Sequence, residues 1–112
     1  LGIGGNDFLR RLPEAETRTH IGRCIETARQ AGVPTVLIAQ PYFTPGALFG
    51  RLSDHPLYAE LAAQYQVPLL AGAWAEVLGE DKWKSDQIHA NAAGYRHFAE
   101  RLAGFLREQG FR

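Results

Sequence analysis

The chain has 112 residues, of which 46% are hydrophobic and 21% charged, and twelve basic side chains balance twelve acidic ones. This length allows one domain at most, and the composition is that of a folded globular protein rather than a disordered one. The sequence has no basic block that would draw it to nucleic acid or an anionic membrane, and it has no apolar run long enough for a transmembrane segment.

In chain order, the first half of the sequence alternates between strand-like and helical patterns. Residues 1–4, "LGIG", resemble the tail of a strand. Apolar residues spaced i, i+3, i+4, i+7 predict a helix over residues 14–31, closed by Gly32, and they place Cys24 on its buried face. The apolar run "PTVLIAQP" that follows predicts a strand covered on both faces.

The second half continues this alternation with a helix over residues 57–66, a strand at 67–71 and a last helix from about 91 to 109, for which Asn91 is a good N-cap. The predicted buried face of the last helix contains Tyr95, Phe98, Ala99, Leu102, Phe105 and Leu106. Alternating helices and strands are typical of an α/β protein with a parallel sheet. Because an open sheet normally has about four to six strands, the chain is expected to be the C-terminal part of a larger α/β unit.

A short polar motif follows the first strand-like segment. "LGIGGNDF" passes from apolar residues through glycines to Asn6 and Asp7, and the carboxyl edge of a parallel sheet is where open α/β proteins bind ligands. Glycines such as Gly5 let the backbone approach a substrate closely. A dinucleotide-binding loop is excluded because Asp7 stands where its third glycine would be. The alternative interpretation is a plain turn in which Asn6 and Asp7 are turn formers.

A carboxylate and an imidazole, Asp86 and His89, are spaced i, i+3 just before the last helix. On a tight turn the two side chains can hydrogen-bond, which leaves the second ring nitrogen as a general base. The alternative is a capped loop with an exposed histidine. The other histidines fit this chemistry less well: His97 is predicted to be on the surface, and His20 and His55 to be solvated or to cap helices. No cluster has zinc-ligand spacing, so neither a metal nor a cofactor is expected.

Together, "GGND" and "DQIHANAAGY" resemble conserved blocks of the SGNH hydrolases, also called the GDSL family, in its thioesterase I, lysophospholipase and arylesterase branch. The resemblance implies a flavodoxin-like three-layer α/β/α fold with a parallel sheet. Residues 1–112 would be the C-terminal part of a single SGNH hydrolase domain, with the N-terminal strands outside this chain. By the same resemblance His89 is the catalytic base, Asp86 its orienting acid and Asn6 an oxyanion-hole donor. Ala90 stands where the family usually has proline.

The family's nucleophilic serine lies in a Gly-Asp-Ser block that this sequence does not contain. Only Ser53 and Ser85 are present, and neither has the expected surroundings. The implied protein is therefore a serine hydrolase of small esters or thioesters whose serine lies in a preceding segment, a covalent or separate complement without which these 112 residues would be inactive.

The segment at residues 41–56 leaves the carboxyl end of a predicted strand and carries several aromatic residues, among them Tyr42 and Phe43. It would either line an acyl or aryl pocket or simply cover the sheet. Two other functions remain open for the whole chain. One is a non-catalytic binding module on the same scaffold, and the other is a flavodoxin-like regulatory domain, for which Asp7 alone supplies no acidic cluster.

Overall fold

A computed structural model describes residues 1–4, 13–42, 52–86 and 89–111. Its elements, in chain order, are helix α1 (Glu14–Gln30), strand β1 (Leu37–Ile38), helix α2 (Leu57–Tyr65), strand β2 (Leu69–Leu70), helix α3 (Ala73–Leu78), a 3-10 turn (Asp81–Trp83) and helix α4 (Ala92–Glu108). The predicted α/β alternation is confirmed. The regular strands are shorter than the apolar runs that predicted them.

Strand β1 lies between two parallel neighbours. On one side it pairs with β2, with Leu37 opposite Leu69 and Ile38 opposite Leu70. On its other side the Leu1 nitrogen donates to the Val36 carbonyl at 2.8 Å, and the Ile38 amide donates to the Leu1 carbonyl at 2.9 Å. The opening segment "LGIG", predicted as the tail of a strand, therefore runs beside β1.

Helices cover both faces of this sheet because successive residues of β1 point to opposite sides. Leu37 and Ala39 pack into an apolar cluster with residues of α1 and α2. Ile38 packs, together with Leu70, against α3 and α4. No helix in the described ranges is long and apolar enough to cross a membrane.

The prediction that Cys24 is buried is wrong, because its side chain is exposed. The buried stripe of α1 consists of Thr17, Ile21, Gly22 and Ile25. Gly22 lies against the Tyr65 ring, where even a Cβ atom would overlap the phenol. This close approach turns the buried face of α1 toward Gly22 and away from Cys24.

The start of α4 agrees with its prediction, since the Asn91 side chain accepts a hydrogen bond from the Gly94 amide at 2.9 Å. The predicted buried face is wrong at Tyr95, which is 52% exposed, and at Ala99, which is also exposed. Phe98 is buried as predicted, and Gly94 is buried in place of Tyr95, which centres the start of the packed face one position earlier on the helix.

Candidate active site

Asp86 and His89 form a hydrogen-bonded pair within one turn. His89 Nδ1 lies 3.0 Å from Asp86 Oδ1 and 2.9 Å from Oδ2, and the His89 amide donates to Oδ1 at 2.8 Å. A carboxylate only accepts hydrogen bonds, so Nδ1 carries the proton and neutral His89 has its lone pair on Nε2. Both side chains are more than half exposed, at 59% for His89 and 57% for Asp86. The pair can take a proton at Nε2 while the carboxylate stabilises the resulting imidazolium.

Backbone pairing on either side of the turn fixes its ends. Lys84 and Ala90 form an antiparallel bridge, and the Ser85 amide donates to the His89 carbonyl at 3.0 Å. Ala90 is buried in the cluster beneath α4. The Ser85 hydroxyl lies 3.3 Å from the His89 carbonyl oxygen, directed at the backbone rather than at an imidazole nitrogen.

The first turn of α4 anchors the same loop to the 3-10 turn before it. The Asn91 amide donates to the Trp83 carbonyl at 2.8 Å, and its side-chain nitrogen donates to the Lys82 carbonyl at 2.9 Å. A Cβ atom on Gly94 would overlap the Trp83 carbonyl oxygen and lie 3.0 Å from a Val77 methyl group. Glycine at this position therefore lets α4 pack closely against the 3-10 turn that precedes Asp86 and His89.

His97 supports this arrangement from α4 and is half-buried rather than on the surface, which corrects its prediction. Its ring stacks on Trp83 at 4.1 Å between centroids, and its Nε2 lies 3.3 Å from Glu76 Oε1. Arg101 pairs with the same carboxylate. Hydrogen bonding from Arg101, and secondarily from His97, lowers the pKa of Glu76. These contacts tie α3 and α4 together beneath the turn.

Tyr42 lies directly beyond the carboxyl end of β1. Its amide donates to the Ser53 carbonyl at 2.8 Å, and its exposed ring stands edge-on to His55 at 4.4 Å between centroids. His55 is only 7% exposed, and its Nδ1 accepts a hydrogen bond from the Leu57 amide at 3.2 Å. The capping role predicted for His55 is confirmed, and the solvated alternative is wrong. Burial lowers the pKa of His55, favouring the neutral ring that serves as acceptor.

Asp54 connects the carboxyl ends of the two strands. It pairs with Pro41 beyond β1, and its Oδ2 accepts a hydrogen bond from the Gly72 amide beyond β2 at 2.7 Å. Burial raises the pKa of this carboxyl group, and the Gly72 hydrogen bond acts in the opposite direction. The base of the 41–56 segment is thereby fixed to the sheet edge.

Of the predicted site residues, the structure brings together Asp86 and His89 and places Tyr42 at the sheet edge. Gly5, Asn6 and Phe43 lie outside the described residues. Sequence reasoning missed Tyr58, which donates to the Ile3 carbonyl next to the "GGND" block. Tyr58 lies in an apolar helical pattern, which is typical of an ordinary core residue. Within the described ranges, no group of three or more His, Cys, Asp or Glu residues is arranged to hold a metal ion.

Solved structures with similar folds include TesA and the esterase AlinE4. The crystal structure of TesA superposes with a TM-score of 0.76 at 24% sequence identity, covering 95% of this chain and 59% of that one. The structure of AlinE4, an SGNH-hydrolase family esterase, gives a TM-score of 0.56 at 23% identity, covering 96% of this chain and 57% of that one. A mutant of the same esterase gives 0.58 at 22% identity with the same coverage. At these identities the similarity shows the fold.

The chain spans less than two thirds of the length of each of these structures. No curated protein sequence matches it significantly. The family model of the GDSL-like lipase/acylhydrolases matches residues 1–97. This match confirms the resemblance drawn from the "GGND" and "DQIH" blocks. The chain therefore belongs to the GDSL-like lipase/acylhydrolase family.

Proposed function

We propose that the chain is the C-terminal part of a serine ester hydrolase, in which His89 is the general base and Asp86 holds and orients it. The observation that carries this proposal is the carboxylate–imidazole pair, in which Asp86 accepts from His89 Nδ1 and leaves Nε2 for proton transfer. Family membership also supports the proposal, because the matched residues 1–97 include both sequence blocks from which the roles were assigned.

In the proposed mechanism, His89 Nε2 takes the proton of a serine hydroxyl, and the serine oxygen attacks the ester carbonyl. The Asn6 side chain donates a hydrogen bond to the oxyanion of the tetrahedral intermediate. His89 then passes its proton to the leaving alcohol or thiol as the carbon–oxygen or carbon–sulfur bond breaks. Water repeats the sequence on the acyl-enzyme and releases the acid.

The serine is proposed to come from a segment outside these residues, joined covalently or supplied as a separate complement. Two observations support this assignment. The Ser85 hydroxyl is directed at backbone carbonyl oxygens. The apolar residues Leu102, Phe105 and Leu106 of α4 remain half-exposed and offer a surface for further chain to cover. The 112 residues alone are accordingly expected to be inactive.

The proposed substrates are small esters or thioesters with an acyl or aryl group, as in the thioesterase, lysophospholipase and arylesterase branch. The exposed Tyr42 ring at the carboxyl end of β1 supports an apolar subsite there, and Phe43 is proposed to extend it. Gly5 would let the backbone approach the substrate beside Asn6.

The first test compares hydrolysis of p-nitrophenyl esters by the complete protein and by its His89→Ala variant. Loss of a triad histidine costs on the order of 10⁶ in kcat in a well-studied protease, so activity should fall to background. Asp86→Asn should lower kcat by about 10⁴, because it favours the wrong imidazole tautomer. His20→Ala, which removes an exposed histidine from α1, is the matched control and should leave kcat within about twofold.

Labelling with a fluorophosphonate probe tests the serine separately. The complete protein should be labelled, and the 112-residue chain alone should not. Full esterase activity of His89→Ala would reject the assigned base. A complete protein that is neither labelled nor active on esters or thioesters would favour the non-catalytic binding module.

A further inference from the structure

We propose that Tyr58 is a positioning residue for the oxyanion-binding block, holding in place the backbone that leads into Asn6. The inference rests on the proposed function, since it concerns how the oxyanion-binding block of that site is held in position. Tyr58 would act through the backbone of Ile3 and Gly4 without touching the substrate.

The contact lies where the opening segment leaves the sheet. The Tyr58 hydroxyl donates to the Ile3 carbonyl at 2.6 Å, and the side chain is 0% exposed. At the next residue, Gly4, the backbone turns through φ +104°, a conformation that L side chains rarely adopt. A Cβ atom on Gly4 would overlap the Tyr58 hydroxyl oxygen, so the phenol packs directly against this turn.

Tyr58 is itself held firmly relative to the sheet. Its helix, α2, begins just after His55, whose amide donates to the Gln40 carbonyl at 2.9 Å and whose Nδ1 accepts from the Leu57 amide. The Tyr58 amide in turn donates to the His55 carbonyl at 3.3 Å. The Tyr58 hydroxyl, which donates to the Ile3 carbonyl, is therefore held in place relative to the carboxyl end of β1.

The opening segment is consequently fixed at two points. Leu1 is bonded to β1 through the Ile38 amide, and Ile3 is bonded to α2 through Tyr58. Asn6 follows Gly4 by two residues, so the second point sets where the "GGND" backbone starts. An oxyanion donor is effective only within about 2.7–3.1 Å of the developing charge, and misplacement by about 1 Å can cost on the order of 10²-fold in rate. Loosening Ile3 is therefore expected to weaken the Asn6 contribution.

The test is a double-mutant cycle on ester hydrolysis by the complete protein, with kcat expressed per site titrated by the fluorophosphonate probe. Tyr58→Phe keeps the ring and removes only the hydroxyl, and should lower kcat about tenfold with KM within about twofold. Asn6→Ala should lower kcat by about 10²–10³. In the Asn6→Ala background, Tyr58→Phe should change kcat by less than about twofold, because the group that it positions is already gone.

Tyr65→Phe is the matched control, because it removes a phenol hydroxyl from the same helix at its contact with Gly22 on α1. It should leave kcat within about twofold. All variants are compared at a temperature where circular dichroism shows them folded.

Equal effects of Tyr58→Phe in both backgrounds would overturn the inference, since a purely structural loss multiplies both rates alike. Failure of Tyr58→Phe to fold at any temperature would also overturn it, by making the hydroxyl a folding requirement. An unchanged kcat in Asn6→Ala would instead reject the oxyanion role within the proposed function. A large Asn6→Ala effect with none from Tyr58→Phe would reject the positioning role alone.

Discussion

At the scale of single residues, His55 shows how burial determines what a titratable group contributes. Its ring is nearly inaccessible, and its Nδ1 accepts the amide at the start of α2. Protonating Nδ1 would remove this acceptor and place a charge in a poorly solvated position. The neutral ring is therefore the form that stabilises the folded state.

The pH dependence of stability should reveal this preference. Because burial lowers the folded-state pKa of His55, the unfolded state binds the proton more readily, and the free energy of unfolding should rise with pH up to the ordinary histidine pKa of about 6.5. His55→Asn retains an acceptor for the Leu57 amide and should flatten this rise. His55→Ala loses the cap as well and should cost about 1 kcal/mol at pH 7.5.

Urea unfolding between pH 5 and 8 measures these differences. His20→Asn, at an exposed site on α1, is the control and should keep the pH dependence of the parent. An unchanged slope in His55→Asn would show that another group causes the dependence.

Prediction from sequence succeeded where the interaction is local. The Asp86–His89 pair joins residues three apart on one turn, so the spacing allowed the hydrogen bond to be predicted, with a capped loop as the alternative that the family resemblance disfavoured. The Tyr58 contact with Ile3 joins residues 55 apart, and no local pattern reveals which core tyrosine will find a carbonyl partner. Cys24 was misplaced for a related reason: the face that α1 buries depends on Tyr65 packing against Gly22, an interaction between two helices.

At the scale of elements, α4 combines a predictable start with a packing contact that its pattern conceals. Asn91 caps the helix as expected. Gly94 has the sequence signature of a weak helix position, yet Trp83 and Val77 fill the space where a side chain would project. Helix propensity and packing therefore make opposite predictions for this residue.

Alanine substitutions at two glycines of α4 separate these effects. Gly104 has no neighbour within 4 Å of its added Cβ atom, so Gly104→Ala should raise the free energy of unfolding by up to about 1 kcal/mol through propensity. Gly94→Ala should lower it by about 1–3 kcal/mol, because the methyl group forces α4 away from the 3-10 turn. Chemical denaturation of both variants measures whether each substitution raises or lowers the free energy of unfolding. Stabilisation by Gly94→Ala would contradict the packing described for the first turn.

At the scale of the whole molecule, strand β1 contacts the rest of the fold on both edges and both faces. It is hydrogen-bonded to β2 on one side and to the opening segment on the other, and its side chains enter the apolar clusters on both faces. The α/β alternation made a central buried strand predictable. Its two hydrogen-bonding partners were less predictable, because "LGIG" is short and is separated from β1 by more than 30 residues of sequence.

Amide hydrogen exchange tests whether the opening segment unfolds together with the rest. The Leu37 and Ala39 amides donate toward β2, whereas the Ile38 amide donates to Leu1. If the segment is part of one cooperative unit, all three amides should exchange with free energies equal within about 0.5 kcal/mol. Markedly faster exchange at Ile38 alone would show that residues 1–4 detach independently of the sheet.

The turn that carries both Asp86 and His89 has a mechanical consequence. Because the Asp86 carboxylate is hydrogen-bonded to both the ring and the backbone amide of His89, the two side chains are expected to move together. In the proposed mechanism, a movement of the loop would then change chiefly the distance from His89 Nε2 to the serine hydroxyl. The contacts of Asn91 and Gly94 with the 3-10 turn behind the loop would set that distance, and the hydrogen bonds between Asp86 and His89 would stay unchanged.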